Sequence, residues 1–204
     1  MTKKLLLATT NPSKAREITT ALSDLALEII NLNDLTQRSA EPREDGESFE
    51  ANARIKAEFW NKETGLSSLA DDSGILVDAL PGELGVHTVR FGAGSAASDT
   101  EWLEYFLNKM KDVPQKKRTA KFVCVIALAD TNKPTEFFHG EVQGKITEKA
   151  EASLLPRIPL SSVFIPEGAD KVFAAMSEIE KEQWSHRGRA LQQLKEFLQK
   201  FKMA

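Results

Sequence analysis

The chain has 204 residues, enough for one domain or for two lobes with a sizeable core. Its 41 % hydrophobic and 28 % charged residues exclude a wholly disordered chain. Thirty acidic against 27 basic residues give a net charge of -3, which argues against a surface built to wrap long nucleic acid but leaves room for a few cations around one phosphate group.

The segment Met1–Ala8 carries an apolar run too short for a signal peptide core or a membrane span, so a cytoplasmic protein is expected. Within it, Leu5–Ala8 reads as a first strand. Pro12 opens a helical stretch with Ala15, Ile18, Leu22 and Leu25 at helical spacing, and Leu27–Leu32 reads as a second strand. Gln37–Gly46 is polar and acidic, hence a loop. Glu47–Glu63 places Phe49, Ala53, Ala57 and Trp60 on one helical face. Ser68–Leu80 is an apolar run interrupted by Asp71-Asp72-Ser73-Gly74, and the glycine-rich Pro81–Ser95 reads as irregular.

Ser98 and Glu101 match a capping box ahead of a helix carrying Trp102, Phe106 and Met110. Thr119–Ala129 and Thr135–Ile146 read as two long strands joined by a turn at Thr131-Asn132-Lys133-Pro134. The single cysteine, Cys124, falls in the first of them; it excludes an intramolecular disulfide and reads as a small buried core residue rather than a nucleophile. A last helix, Arg187–Phe201, sets Leu191, Leu194, Leu198 and Phe201 on one face. Early alternation of strands and helices followed by a long hairpin predicts an α/β protein: a mixed β-sheet with flanking helices, two lobes around a central cleft, and no linker dividing 1–204 into independent domains.

Four clusters could carry chemistry. Thr9-Thr10-Asn11-Pro12-Ser13-Lys14 joins a strand to a helix, and free N–H groups, hydroxyls and a lysine there suit a polyphosphate. It lacks the glycines of a Walker loop, and a plain helix cap is the alternative. Asp71 and Asp72 lie against apolar sequence, where two carboxylates are costly unless solvated or bound to a cation. Magnesium is one such cation, and an acidic turn before Gly74 is the alternative. Glu44 lies in the acidic loop and Lys56 on the following helix; each gains meaning only if folding brings it near Asp72. Ser185-His186-Arg187-Gly188-Arg189 opens the last helix, where two arginines oppose the macrodipole, and a histidine beside arginines can bind phosphate or the edge of a base.

In order and spacing these segments resemble the inosine/xanthosine triphosphate pyrophosphatase family. The resemblance runs through Leu7-Ala-Thr-Thr-Asn-Pro-Ser-Lys14 with Glu17, Glu44-Asp-Gly46 with Phe49, Asn52-Ala53 and Lys56-Ala57. It continues through Ala70 to Gly82, Gly85-Val86, Arg90-Phe91, Gly140 to Gly144, Phe164, Pro166-Glu-Gly168, Lys181 and Ser185 to Leu191. It implies an elongated mixed sheet, a homodimer, and magnesium-dependent hydrolysis of a nucleoside triphosphate to monophosphate and pyrophosphate. By matched position, Thr9, Thr10, Asn11, Ser13 and Lys14 would grip the triphosphate. Glu44 and Asp72 would hold magnesium with Asp71 in support, and Asp72 would orient or deprotonate the attacking water. Ser73, Lys56 and Lys181 would contact phosphate or sugar, and His186 and Arg187 would approach the purine edge.

The resemblance breaks at Ile158-Pro159-Leu160-Ser161-Ser162-Val163, where the family carries Phe-Gly-Tyr/Trp-Asp-Pro as part of its base pocket. Ser161 stands there for the aspartate, and Ala51 replaces a common glutamate. A broader substrate range is therefore expected. Two alternatives stay open: a nucleotide-binding relative without turnover, and a pyrophosphatase for a different modified nucleotide.

Overall fold

The computed structural model describes residues 3–35, 40–91, 97–177, 180–181 and 184–200. Six strands form one mixed sheet in the order β2-β1-β3-β4-β5-β6. They are β1 (Lys3–Leu7), β2 (Leu27–Asn31), β3 (Ser67–Val77), β4 (Thr119–Ala129), β5 (Glu136–Ile146) and β6 (Phe164–Pro166). β1 runs parallel to both β2 and β3, with Leu5 opposite Ile29 on one side and Ser67 on the other. β5 and β6 are antiparallel. Among the described residues the sheet is accompanied by helices α1 (Pro12–Ala21), α2 (Phe49–Thr64), α3 (Asp99–Lys109) and α4 (His186–Lys200). None of the described helices is long and apolar enough to cross a membrane.

The chain divides into two compact units. The first takes its described residues from Met1–Asp72, Cys124–Gly140 and Arg187–Ala204; the second takes them from Ser73–Val123 and Glu141–His186. In the first unit, Leu5, Leu7 and Leu69 of the sheet pack with Cys124, Ile126 and Leu128 of β4 against Ile18 and Leu22 and against Leu191, Leu194 and Leu198 of α4. In the second, Phe91, Trp102 and Phe106 form one aromatic group, and Phe122 meets Phe164 edge-on at 4.7 Å. The buried Arg118 of this unit donates to the carbonyls of Met110, Val113 and Thr147, of which Met110 is the C-terminal cap of α3.

The helix signals hold. Asn11 caps α1 with Pro12 at its first position, and Ser98 and Glu101 form the capping box of α3. Two expectations change. The Asp71-Asp72-Ser73-Gly74 stretch breaks the apolar run but not the strand: it makes no turn, and β3 passes straight through it. The charge on Asp71 and Asp72 is met by partners from distant segments, so the backbone has no need to carry them to solvent. Within Pro81–Ser95, Gly85–Arg90 forms a 3-10 helix, while residues 92–96 lie outside those described, as do residues 37–39 of the expected acidic loop.

Candidate active site

Side chains alternate across a strand, so consecutive residues of β3 point to opposite faces of the sheet. Asp71 follows Leu69 onto the face covered by α1 and α4. It is 2 % exposed, and its carboxylate takes the ammonium of Lys14 on Oδ1 and the Nε of Arg187 on Oδ2 at 3.1 Å. The thiol of Cys124 donates to the same Oδ2 at 2.9 Å. Arg187 in turn pairs with Glu17 at 2.6 Å. Burial works to raise the Asp71 carboxyl, but Arg187 and Lys14 outweigh it and hold the group far below the usual carboxylate range. Burial and the Asp71 charge push the Cys124 thiol well up, so it stays a protonated donor.

Asp72 points the other way, toward α2. Its Oδ1 accepts from Lys56 Nζ at 3.2 Å, and the same ammonium reaches Glu44 Oε2 at 3.1 Å and the main-chain carbonyl of Asp71 at 2.9 Å. Burial raises the Asp72 carboxyl, and the attraction of Lys56 and Lys14 does not cancel that push. Burial works to lower the Lys56 ammonium, but Asp72, Glu44 and Asp71 overcome it and leave the group raised. The second oxygen of Asp72, Oδ2, is buried and has no hydrogen-bond partner among the described residues.

Glu44 reaches this cluster because its loop is pinned to the start of α2. The N–H of Gly46 donates to Asn52 Oδ1 at 2.8 Å, and the backbone lies so close that a Cβ on Gly46 would stand 2.7 Å from that oxygen and 2.8 Å from the Cβ of Ala51. Only glycine permits that approach.

Folding therefore brings together Lys14, Glu44, Lys56, Asp71 and Asp72 around one stretch of β3. Arg187, expected at the purine edge, turns its guanidinium inward and is 8 % exposed. The charge of Asp71 and Glu17 answers the mismatch of an arginine at a helix start. Asn11 uses its side-chain oxygen to cap the N–H groups of Ser13 and Lys14, at 3.0 and 3.4 Å, and Thr9 Oγ1 accepts from the N–H of Asn11. Thr10 is exposed and Ser13 half-buried.

The other expected contacts belong to the second unit. Ser73 and Lys181 are half-buried there, and the His186 ring stacks on Phe122 at 5.0 Å. Ile158–Val163 folds around a 3-10 turn, Pro159–Ser162, in which the Ser161 hydroxyl donates to the Ile158 carbonyl at 2.7 Å. Two members of the charge network had no assigned role in the sequence: Glu17 and Cys124. For Glu17 a signal existed, since it lies three residues after Lys14 and so on the same face of α1. For Cys124, strand register alone gives no hint of a carboxylate beside it.

Hydrolysis of a phosphoanhydride calls for carboxylates that serve a hard cation and a base, together with ammonium groups for the phosphates; the first unit gathers both kinds. The chain belongs to the Ham1 family, whose model matches residues 5–197. A dITP/XTP pyrophosphatase of Oceanobacillus iheyensis is 36 % identical over 196 residues, covering 96 % of this chain and 98 % of the relative. One from Thermus thermophilus is 41 % identical over 195 residues, covering 95 % and 90 %. The structure of a HAM1 protein from Coxiella burnetii superposes with a TM-score of 0.86 at 32 % identity, covering 97 % of this chain and 99 % of that one.

Proposed function

We infer that this chain hydrolyses non-standard purine nucleoside triphosphates such as dITP and XTP to the monophosphate and pyrophosphate, with water attacking the α-phosphorus. Family membership and relatives of that name along nearly the whole chain support the reaction class. The observation that carries the residue assignment is Asp72: one oxygen anchored on Lys56, the other buried and unsatisfied, and a carboxyl made more basic by burial. That is the equipment of a group that receives a proton or a cation.

The donor set fits magnesium. No three of the described His, Cys, Asp and Glu side chains converge as a full protein cage. Magnesium instead favours one or two carboxylates completed by water and substrate phosphates, which matches Glu44 and Asp72 with the open Asp72 Oδ2. When bound, the ion supplies neutralisation of the triphosphate charge. The protein's share is to orient the substrate with Lys14 and Lys56 and to take the proton of the attacking water at Asp72. Asp71 acts through Lys14 and Arg187, by keeping the strand and the lysine in place. Ser73, Ser161, Lys181 and His186 are assigned to the substrate by the family resemblance, as is a homodimeric state; sedimentation at micromolar concentration is expected to give a species of twice the chain mass.

The test is a panel of nucleoside triphosphates with and without magnesium, assayed for pyrophosphate. Release of pyrophosphate from ITP and XTP that stops on chelation supports the reading. Turnover that survives thorough chelation would remove Glu44 and Asp72 from their metal roles.

A further inference from the structure

Lys56 stands where the carboxylates assigned to the cation meet. An ammonium has three N–H donors. Those of Lys56 face three acceptors: Glu44 Oε2 at 3.1 Å, Asp72 Oδ1 at 3.2 Å and the Asp71 carbonyl at 2.9 Å. The donors are thus fully used within the protein, and the side chain is only 14 % exposed. In this arrangement Lys56 has no N–H group to offer a phosphate. The acceptors around it are two carboxylates and a carbonyl, the hard oxygens that a divalent ion prefers.

We propose that Lys56 is an exchangeable internal counter-ion: its ammonium holds Glu44 and Asp72 together until a divalent cation takes those carboxylates, and the displacement turns the freed N–H groups toward the substrate's phosphates. The proposal rests on Glu44 and Asp72 being the cation ligands. It gives the lysine two successive tasks. Before metal arrives, its charge keeps two carboxylates from repelling each other. Afterwards, repulsion between ion and ammonium favours a lysine that has swung onto an anion. Lys14 is the matched comparison, because its ammonium makes its ion pair with Asp71, on the other face of β3, and reaches Asp72 only through a weaker attraction at longer range.

The experiment uses chelator-treated, full-length protein titrated with Mn2+ alone. Calorimetry gives the affinity for wild type, Lys56→Met and Lys14→Met. In parallel, the 15N ammonium resonance of Lys56, assigned by its loss in Lys56→Met, is followed in the wild type. Exchange predicts a tenfold or greater gain in Mn2+ affinity for Lys56→Met and less than threefold for Lys14→Met. It also predicts that Mn2+ shifts or broadens away the Lys56 resonance at substoichiometric metal, and that diamagnetic Mg2+ moves it with the midpoint of its own binding. Equal affinity in wild type and Lys56→Met, the same gain in both lysine variants, or a Lys56 resonance unmoved by saturating Mg2+ overturns the exchange while leaving the metal reading in place. Absence of Mn2+ binding in the wild type, together with chelator-resistant turnover, overturns both. Should Lys56→Met fail to fold, the wild-type Mg2+ titration still decides, with the resonance assigned by Lys56→Arg.

Discussion

Asp71 and Asp72 are neighbours in β3, yet their carboxylates answer to different helices: Asp71 to Lys14 and Arg187, Asp72 to Lys56. The strand's two-residue period separates a fully paired, structural carboxylate from one that keeps an oxygen open. The two residues should therefore fail differently when altered.

Asp71→Asn is expected to lose stability and Asp72→Asn to lose turnover. Removing one partner of a buried ion pair costs about 3–5 kcal/mol, because the remaining charges stay buried. Urea unfolding of Asp71→Asn should show a loss of that size. Asp72→Asn keeps an acceptor for Lys56 and should unfold near the wild-type midpoint, with turnover down by roughly a thousandfold or more. Near-normal turnover in Asp72→Asn, or a wild-type midpoint in Asp71→Asn, would contradict this division.

The same pairing sets an acid dependence. The folded Asp71 carboxyl lies far below its unfolded value near 3.9. Its contribution is therefore complete above the unfolded value and declines as pH falls toward the folded one. The stability gap between wild type and Asp71→Asn should be constant from neutral pH to about 5 and narrow on further acidification. A gap that widens in acid would show the sign to be wrong.

Gly46→Ala is expected to displace the loop carrying Glu44. A Cβ would meet Asn52 Oδ1 at 2.7 Å and Ala51 at 2.8 Å, so the loop must lift from α2. Misplacement of an active group by about 1 Å can cost on the order of a hundredfold in rate. Activity should fall and the magnesium concentration for half-maximal rate should rise. Unchanged magnesium dependence would mean that Glu44 does not serve the ion.

Much of this was legible in the sequence, for physical reasons. Caps at Asn11 and Ser98 are local signals, and α1 and α3 begin where those residues place them. The grouping of Glu44, Lys56 and Asp72 was implied by the family resemblance, since local sequence leaves Glu44 in a solvated loop and Lys56 on a helix face. The unbroken course of β3 was not legible, because Asp-Asp-Ser-Gly is a turn signal whose override comes from α1, α2 and α4. The ion pairs of Arg187 were not legible for the same reason: at a helix start it has no local counter-charge, and Asp71 and Glu17 are 116 and 170 residues away.

Specificity should depart from that of family members with an aromatic base pocket. Ile158 and Leu160 stand at positions that resemble the family's ring platform, and loss of ring stacking removes about 0.5–1.5 kcal/mol. The Ser161 hydroxyl, where a carboxylate is common, donates within its own turn. Values of kcat/KM for ITP, XTP, GTP, ATP and pyrimidine triphosphates should show ITP and XTP favoured over GTP by less than about a hundredfold. A larger preference would mean that other residues rebuild the pocket.

Water labelled with 18O tests the central assignment most directly. Attack on the α-phosphorus of ITP places the label in the monophosphate, and attack on the β-phosphorus places it in pyrophosphate. The account predicts that wild-type enzyme with magnesium labels the monophosphate alone and that Asp72→Asn forms almost no labelled product. Label in pyrophosphate, or labelling of the monophosphate at the wild-type rate by Asp72→Asn, would contradict it.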